Sequence, residues 1–340
     1  MTDTEVLEPP ATRSPIQRMV AASTFWIALV LVVLCVLFSV LRPDAFPTLF
    51  TLQTLLIEAS VLLVLAVGMT FVIITAGIDL SVGSVLVFAG VVAATLMESL
   101  SGGDATNAGP GVVIAGLVAA LVGGGAWGLL NGLLVAMARI PPLIVTLGSF
   151  GAALGAAQLI TDGVDVRTVP KSLRDGLGFG QTFQVPHMVA LAAVVTLAGA
   201  WLLHTTRFGR RTYAVGSSAE AARRAGIPVR AHLVRVYTGV GLLSGLAGFM
   251  SLAYFGTTTI SGHSTDNLNA IAAVVLGGTS LFGGVGTVFG TVIGVFIPAV
   301  LTKGFVIVGV QQFWQPVAIS AVLVAAVWFD QVRRRSRDRR

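Results

Sequence analysis

Apolar residues in this chain fall into long runs separated by short polar gaps, and the runs have membrane dimensions. A helix that crosses a bilayer needs about 20 apolar residues. Runs of that kind lie near 24–41, 52–75, 80–98, 111–137, 141–160, 186–204, 234–255, 268–282, 284–308 and 313–330. The pattern predicts an all-α polytopic membrane protein with about ten transmembrane helices. Two places strain it. The run at 268–282 is short, and only AGID (76–79) separates 52–75 from 80–98, so a broken or re-entrant helix is expected at either place. A polar tail (1–23) precedes the membrane domain (24–330), and a basic tail (331–340) follows it. The first tail mixes Asp3, Glu5 and Glu8 with Arg13 and Arg18. That is unlike the basic start of a signal peptide and reads as a cytoplasmic segment before an uncleaved first span.

Charge orients the runs. With both termini cytoplasmic, the inner segments hold 16 of the 21 Lys and Arg residues, and the outer loops hold Arg42, Arg167, Lys171 and Arg174. Lys303 lies within a run. The bias follows the positive-inside rule; it places 205–232 in the cytoplasm and 161–185 outside. An odd number of spans before residue 205 would put the arginine-rich loop on the wrong side.

Glycine spacing indicates how the helices meet. Gly124, Gly128 and Gly132 recur at every fourth residue, as do Gly286, Gly290 and Gly294, while Gly241 and Gly245 form a shorter pair. Lipid gives helices no hydrophobic drive to associate, so small residues that admit close backbone approach take that role. In a bundle of this size the expected contacts are with helices of the same chain.

Composition narrows the chemistry. A mean hydropathy of +0.90, with 55% hydrophobic and 11% charged residues, belongs to the membrane class. The net charge of +6 does not point to nucleic acid, because the arginines flank apolar runs. The single cysteine, Cys35, allows no disulfide framework. There is no G-x-x-x-x-G-K-[ST] and no H-E-x-x-H, and His187, His204, His232 and His263 are scattered. No catalytic site, metal or cofactor is expected in this chain, so another chain must supply energy. Glu58, Asp79 and Lys303 are the ionisable groups within runs. Glu58 alone could serve as the acidic relay of an ion-coupled transporter. Gly77 can end one helix and Asp79 can cap the next by accepting backbone N–H bonds. Lys303 is expected to snorkel to the outer surface.

The loop at 205–232 is richer than a solvated connection needs. In GSSAEAARRAGIPVR (216–230), Ser217 or Ser218 can cap a short helix, Glu220 suits its first turn, and Arg223 and Arg224 suit its last. Gly226, in a left-handed conformation, followed by Pro228, can end it.

Three stretches now carry a resemblance: GMTFVIITAGIDLSVGS (68–84), TRFGRRTYAVGSSAEAARRAGI (206–227) and NAIAAVVLGGTSLFGGVGTVFG (269–290). In that order they resemble the permease subunits of binding-protein-dependent ABC importers of the ribose/xylose type, over roughly 52–330. The resemblance implies a multi-pass permease of a bacterial inner membrane that imports a monosaccharide or related polyol. It implies an ABC ATPase partner that binds the ATP and Mg, an extracytoplasmic binding protein docking near 99–110, 161–185 and 256–267, and a second permease copy or paralogue. Ser217, Ser218, Glu220, Ala221, Ala222, Arg223, Arg224 and Gly226 fit the EAA-type loop that such permeases present to the ATPase. Gly77, Asp79, Gly277 and Gly278 belong to the shared motifs. Where the family has acidic residues in an E-L-D sequence, this chain has Asn267, Leu268 and Asn269, which keep hydrogen-bonding capacity without charge. Asn131, Gln158, Asn267 and Asn269 are candidate polar contacts along the path, with helix–helix hydrogen bonding as their default role. Nucleosides and branched-chain amino acids are the rival substrates, and an ion-coupled secondary transporter is the rival class.

Overall fold

The computed structural model describes residues 23–311 apart from residue 264, together with the isolated positions 314, 317, 320, 321 and 324. The helices are α1 (Ser23–Leu41), α2 (Leu49–Ile74), α3 (Val82–Leu100), α4 (Pro110–Ala136), α5 (Pro142–Thr161), α6 (His187–Thr205), α7 (Arg207–Ser217), α8 (Ala219–Arg224), α9 (Val229–Phe255), α10 (Asp266–Leu276) and α11 (Val288–Val308). Between α5 and α6 lie a helical turn (Lys171–Leu173), a π turn (Arg174–Gly178) and a minimal hairpin of β1 (Gln181–Thr182) and β2 (Val185–Pro186). Among the described residues seven helices are long and apolar enough to cross a membrane: α2 to α6, α9 and α11. The protein is an all-α polytopic membrane protein.

The short run at 268–282, where a broken helix is expected, is not one span. Its helix, α10, stops at Leu276 after 11 residues, and the chain turns through Gly278 at φ +89°. The expected span at 313–330 and the two tails fall outside the described residues, save for the isolated positions named above.

α2 is the axis of the bundle. From Val61 to Ile74 it is buried on nearly every side, which explains why it is apolar all round rather than on one stripe. α4 and α9 make the most extensive pairing. A Cβ at Gly124 would lie 2.3 Å from the Gly241 carbonyl oxygen, and one at Gly245 would lie 2.2 Å from that of Ala120. The second series behaves alike: a Cβ at Gly290 would lie 2.0 Å from the Gly277 oxygen, and one at Gly294 would lie 1.9 Å from that of Ala273. Both series are contacts within one chain. By contrast, α6 leaves Val194, Leu197 and Trp201 exposed, as a lipid-facing helix does.

The bundle has two distinct ends. At one, three loops are tied together: Thr258 Oγ1 donates to Asp165 Oδ1 at 2.9 Å, Thr168 Oγ1 donates to Glu98 Oε1 at 2.8 Å, and the Lys171 amide donates to the Thr106 carbonyl at 2.9 Å. The other end carries α7 and α8.

Candidate functional site: a capped helix, a helix junction and a polar cavity

α8 is six residues long, and local signals account for it. Ser218 is extended (φ −163°, ψ 104°), and its hydroxyl accepts the Ala221 amide at 3.2 Å, which satisfies one of the orphan donors of the first turn. Glu220 pairs with Arg223 and Arg224 on the exposed surface, which contributes only a few tenths of a kcal/mol. The end is a Schellman motif: Gly226 has φ +80°, its amide donates to the Arg223 carbonyl, and that of Ile227 donates to the Ala222 carbonyl, both at 3.0 Å. Ala222 is buried, whereas Ala219, Glu220, Ala221, Arg223 and Arg224 face solvent. A Cβ at Gly226 would meet nothing within 4 Å, so only backbone strain opposes a side chain there. Gly226→Val is expected to destabilise α8 by about 1–2 kcal/mol, raising hydrogen exchange in 219–227 while the melting temperature of the bundle stays unchanged.

α8 hangs from α7, and α7 is docked into the bundle. Thr206 caps α7, accepting the Phe208 and Gly209 amides. Thr212 Oγ1 and His232 Nε2 are hydrogen-bonded at 3.0 Å. The Tyr213 hydroxyl donates to the Gly286 carbonyl at 2.7 Å; burial raises its pKa, so it remains protonated as a donor. The closest contact is at Gly216, where a Cβ would lie 1.7 Å from the Ile74 carbonyl oxygen and 2.7 Å from the Gly284 nitrogen. The Gly284 amide itself donates to Ile74 O at 2.9 Å. The C-terminal ends of α2 and α7 and the loop after α10 therefore converge on one point. Ser217, against which a Cβ at Gly284 would press, leads directly from that junction into α8.

The two helix interruptions differ from the simple reading in detail. α2 ends through Ala76, at φ +60°, with the Gly77 amide donating to Val72 O at 3.0 Å. The left-handed residue is Ala76, not Gly77. Gly77 is small because the Tyr237 hydroxyl oxygen sits 2.6 Å from where its Cβ would be. Asp79 is not the N-cap of α3 either. Its Oδ1 accepts the Ser81 amide at 2.8 Å and the Ser81 hydroxyl at 2.6 Å, and Ser81 takes the cap position. At the other interruption Gly277 touches α11, and the left-handed conformation falls on Gly278.

The four amide candidates separate into different environments. Asn131 is buried in a relay: Ser149 Oγ donates to Asn131 Oδ1, Asn131 Nδ2 donates to Ser81 Oγ, and Ser81 Oγ donates to Asp79 Oδ1. It joins α4, α5 and the interruption after α2, which is its default role. Asn131→Leu strands the Ser149 hydroxyl and removes the donor that Ser81 Oγ accepts from; it is expected to cost about 2 kcal/mol, read as a lower unfolding midpoint. Gln158 lies exposed on α5. Asn267 is buried, with Nδ2 donating to Leu80 O at 3.0 Å and Oδ1 without a partner among the described residues. Asn269 lines a polar cavity.

That cavity, of about 270 Å³, lies between α2, the end of α9, the start of α10 and α11. Glu58, Tyr254, Phe255, His263, Asp266 and Asn269 are on its wall. Lys303 does not snorkel: its Nζ donates to Glu58 Oε1 at 2.8 Å. His263 is held between Ser251 Oγ (Nε2, 2.7 Å) and Asp266 Oδ2 (Nδ1, 2.7 Å). The cleft between α6 and α9, of about 350 Å³, is by contrast lined almost wholly by apolar side chains.

A family model described as "Branched-chain amino acid transport system / permease component" matches residues 51–327. The ribose import permease protein RbsC of Escherichia coli (strain K12) is 38% identical over 303 residues, covering 88% of this chain and 91% of its own. The chain belongs to this permease family. The fructose import permease protein FrcC of Rhizobium meliloti is 32% identical, with 89% and 84% covered. The galactose/methyl galactoside import permease protein MglC of Salmonella typhimurium is 32% identical, with 89% and 93% covered. No solved structure matches this chain. The permease is thus a multi-pass integral protein of the bacterial inner membrane, and its role is transport. Sequence reasoning missed the junction residues Gly216 and Tyr213, the Glu58–Lys303 pair and the Ser251–His263–Asp266 chain. The only signal available for the pair was that both are ionisable groups inside apolar runs.

Proposed function

We infer that this permease carries a monosaccharide, a pentose, hexose or related polyol, as the membrane subunit of an ABC importer. The observation that carries the reading is that relatives named as ribose, fructose and galactose import permeases align with nearly nine tenths of the chain. An ATPase subunit binds ATP and Mg and seats the exposed face of α8 formed by Glu220, Ala221, Arg223 and Arg224, with Ser217, Ser218, Ala222 and Gly226 fixing that face. An extracytoplasmic binding protein docks on the tied loops at the opposite end. A second copy or paralogue completes the path; the outer face of α5, where Cβ atoms at Gly148, Gly151 and Gly155 would meet open space, permits the close approach that membrane helices favour.

The α8 end and both termini are cytoplasmic, and the tied loops face outward, with ten crossings of which one is completed by α10. Supporting this, α9 ends beside loop 162–170, since Thr258 bonds Asp165 and the Val166 amide, while α10 ends near the junction on α7. In this topology an impermeant thiol reagent is expected to leave Ser218→Cys unlabelled in intact cells and to label it in inverted vesicles.

α10 also supports a coupling route. Its first turn carries Asp266 and Asn269 on the cavity, and its far end leads to Gly284 against Ser217. A stiff helix of 11 residues passes displacement of α8 to the cavity wall. The family description names branched-chain amino acid systems, so an amino acid is the second reading. Competition against labelled monosaccharide uptake in cells expressing the complete importer tests it: unlabelled pentoses or hexoses are expected to compete, and competition by leucine or nucleosides alone would move the substrate class.

A further inference from the structure

The polar cavity is costly for a membrane protein to keep. Helix packing needs no charge there, and ionisable groups within a bundle are expensive unless they serve a solute or a partner. Yet two elements far apart in sequence, α2 and α11, bring Glu58 and Lys303 together, and His263 fixes Asp266 from the other side. The Asn269 side chain has no hydrogen-bond partner among the described residues, though it lines the space. Tyr254 and Phe255 stand beside it with ring centroids 5.0 Å apart.

This set matches one class of solute. A carboxylate accepts hydrogen bonds from neighbouring hydroxyls, an amide both donates and accepts, and aromatic rings cover C–H surface. Glu58 is paired with Lys303 and Asp266 is hydrogen-bonded to His263, so neither carboxylate stands in the cavity without a partner. We propose that the cavity is a transit subsite for an uncharged polyhydroxylated solute, with Glu58 and Asn269 as the residues that discriminate among substrates. The proposal rests on the sugar-import reading and adds a selectivity step to it. The chain screens the solute after delivery, at the end of α10 opposite the junction. Lys303 is a positioning residue: it holds the Glu58 carboxylate and does not itself line the cavity.

The test is a cycle between protein and substrate variants. The permease, with its ATPase and binding protein in proteoliposomes, is given the cognate sugar and its monodeoxy analogues, each at a concentration that saturates the binding protein. Loss of the hydroxyl that meets Glu58 or Asn269 is expected to lower the wild-type uptake rate about tenfold, the loss of one well-made hydrogen bond. In Glu58→Gln or Asn269→Leu, cognate uptake falls by a similar factor, and the discrimination against that one analogue disappears. Glu58→Gln with Lys303→Met removes both charges and controls for an ammonium left unpaired; it is expected to show the same lost discrimination. Uptake of all analogues reduced in equal proportion, or wild-type ratios in every variant, would overturn the subsite while leaving sugar import standing. A wild-type importer that carries no sugar would overturn both.

Discussion

Leucine at Gly128 is expected to prevent assembly of the bundle. Even a methyl group there would sit 2.3 Å from the Tyr237 carbonyl oxygen and 2.9 Å from the Gly241 Cα. Both are backbone atoms of α9, so no rotamer change can make room. α4 and α9 would have to separate along the seam that also joins Gly124 to Gly241 and Gly132 to Val234. Overpacking of this kind costs about 3 kcal/mol, and in lipid nothing but close packing holds the pair. Gly239 lies on α9 with open space around its Cβ position, so Gly239→Leu serves as the matched control. Monodisperse yield in detergent is expected to collapse for Gly128→Leu and to stay at the wild-type level for Gly239→Leu.

Valine at Gly216 is expected to abolish transport by a different route. Its side chain would collide with the Ile74 carbonyl and displace Gly284, forcing α7 away from the junction. The interior seams are untouched, so the variant is expected to fold and to bind its ATPase, because the exposed face of α8 is built by its own caps. Uptake is expected to fall at least a hundredfold, about 2.7 kcal/mol or more of lost coupling, with ATP hydrolysis either silent or independent of the binding protein. Wild-type uptake by Gly216→Val would show that the junction carries no displacement.

What could be read from sequence divides by the range of the interactions involved. α8 was fully legible because its determinants, Ser218, Glu220, the two arginines and Gly226, lie within nine residues. The glycine series were legible because helical spacing alone puts such residues on one face. Asp79 and Gly77 were half legible: the helix break was there, but the reason Gly77 carries no side chain, the Tyr237 hydroxyl, lies 160 positions away. The Asn131 relay and the Glu58–Lys303 pair had no local signature, since each partner comes from a different helix. Lys303 was misplaced for that reason: a lone lysine in an apolar run reads as snorkelling until its carboxylate is found. The run at 268–282 betrayed its break only by being short, because apolar residues continue past Leu276 into a loop that packs against α2 and α7.

The central expectation is that transport is driven by nucleotide through a partner. Proteoliposomes holding the permease and its ATPase, with ATP enclosed and sugar-loaded binding protein outside, should accumulate labelled monosaccharide, and should stop when the ATPase cannot hydrolyse. Accumulation driven by a proton or sodium gradient with no ATP present would contradict it.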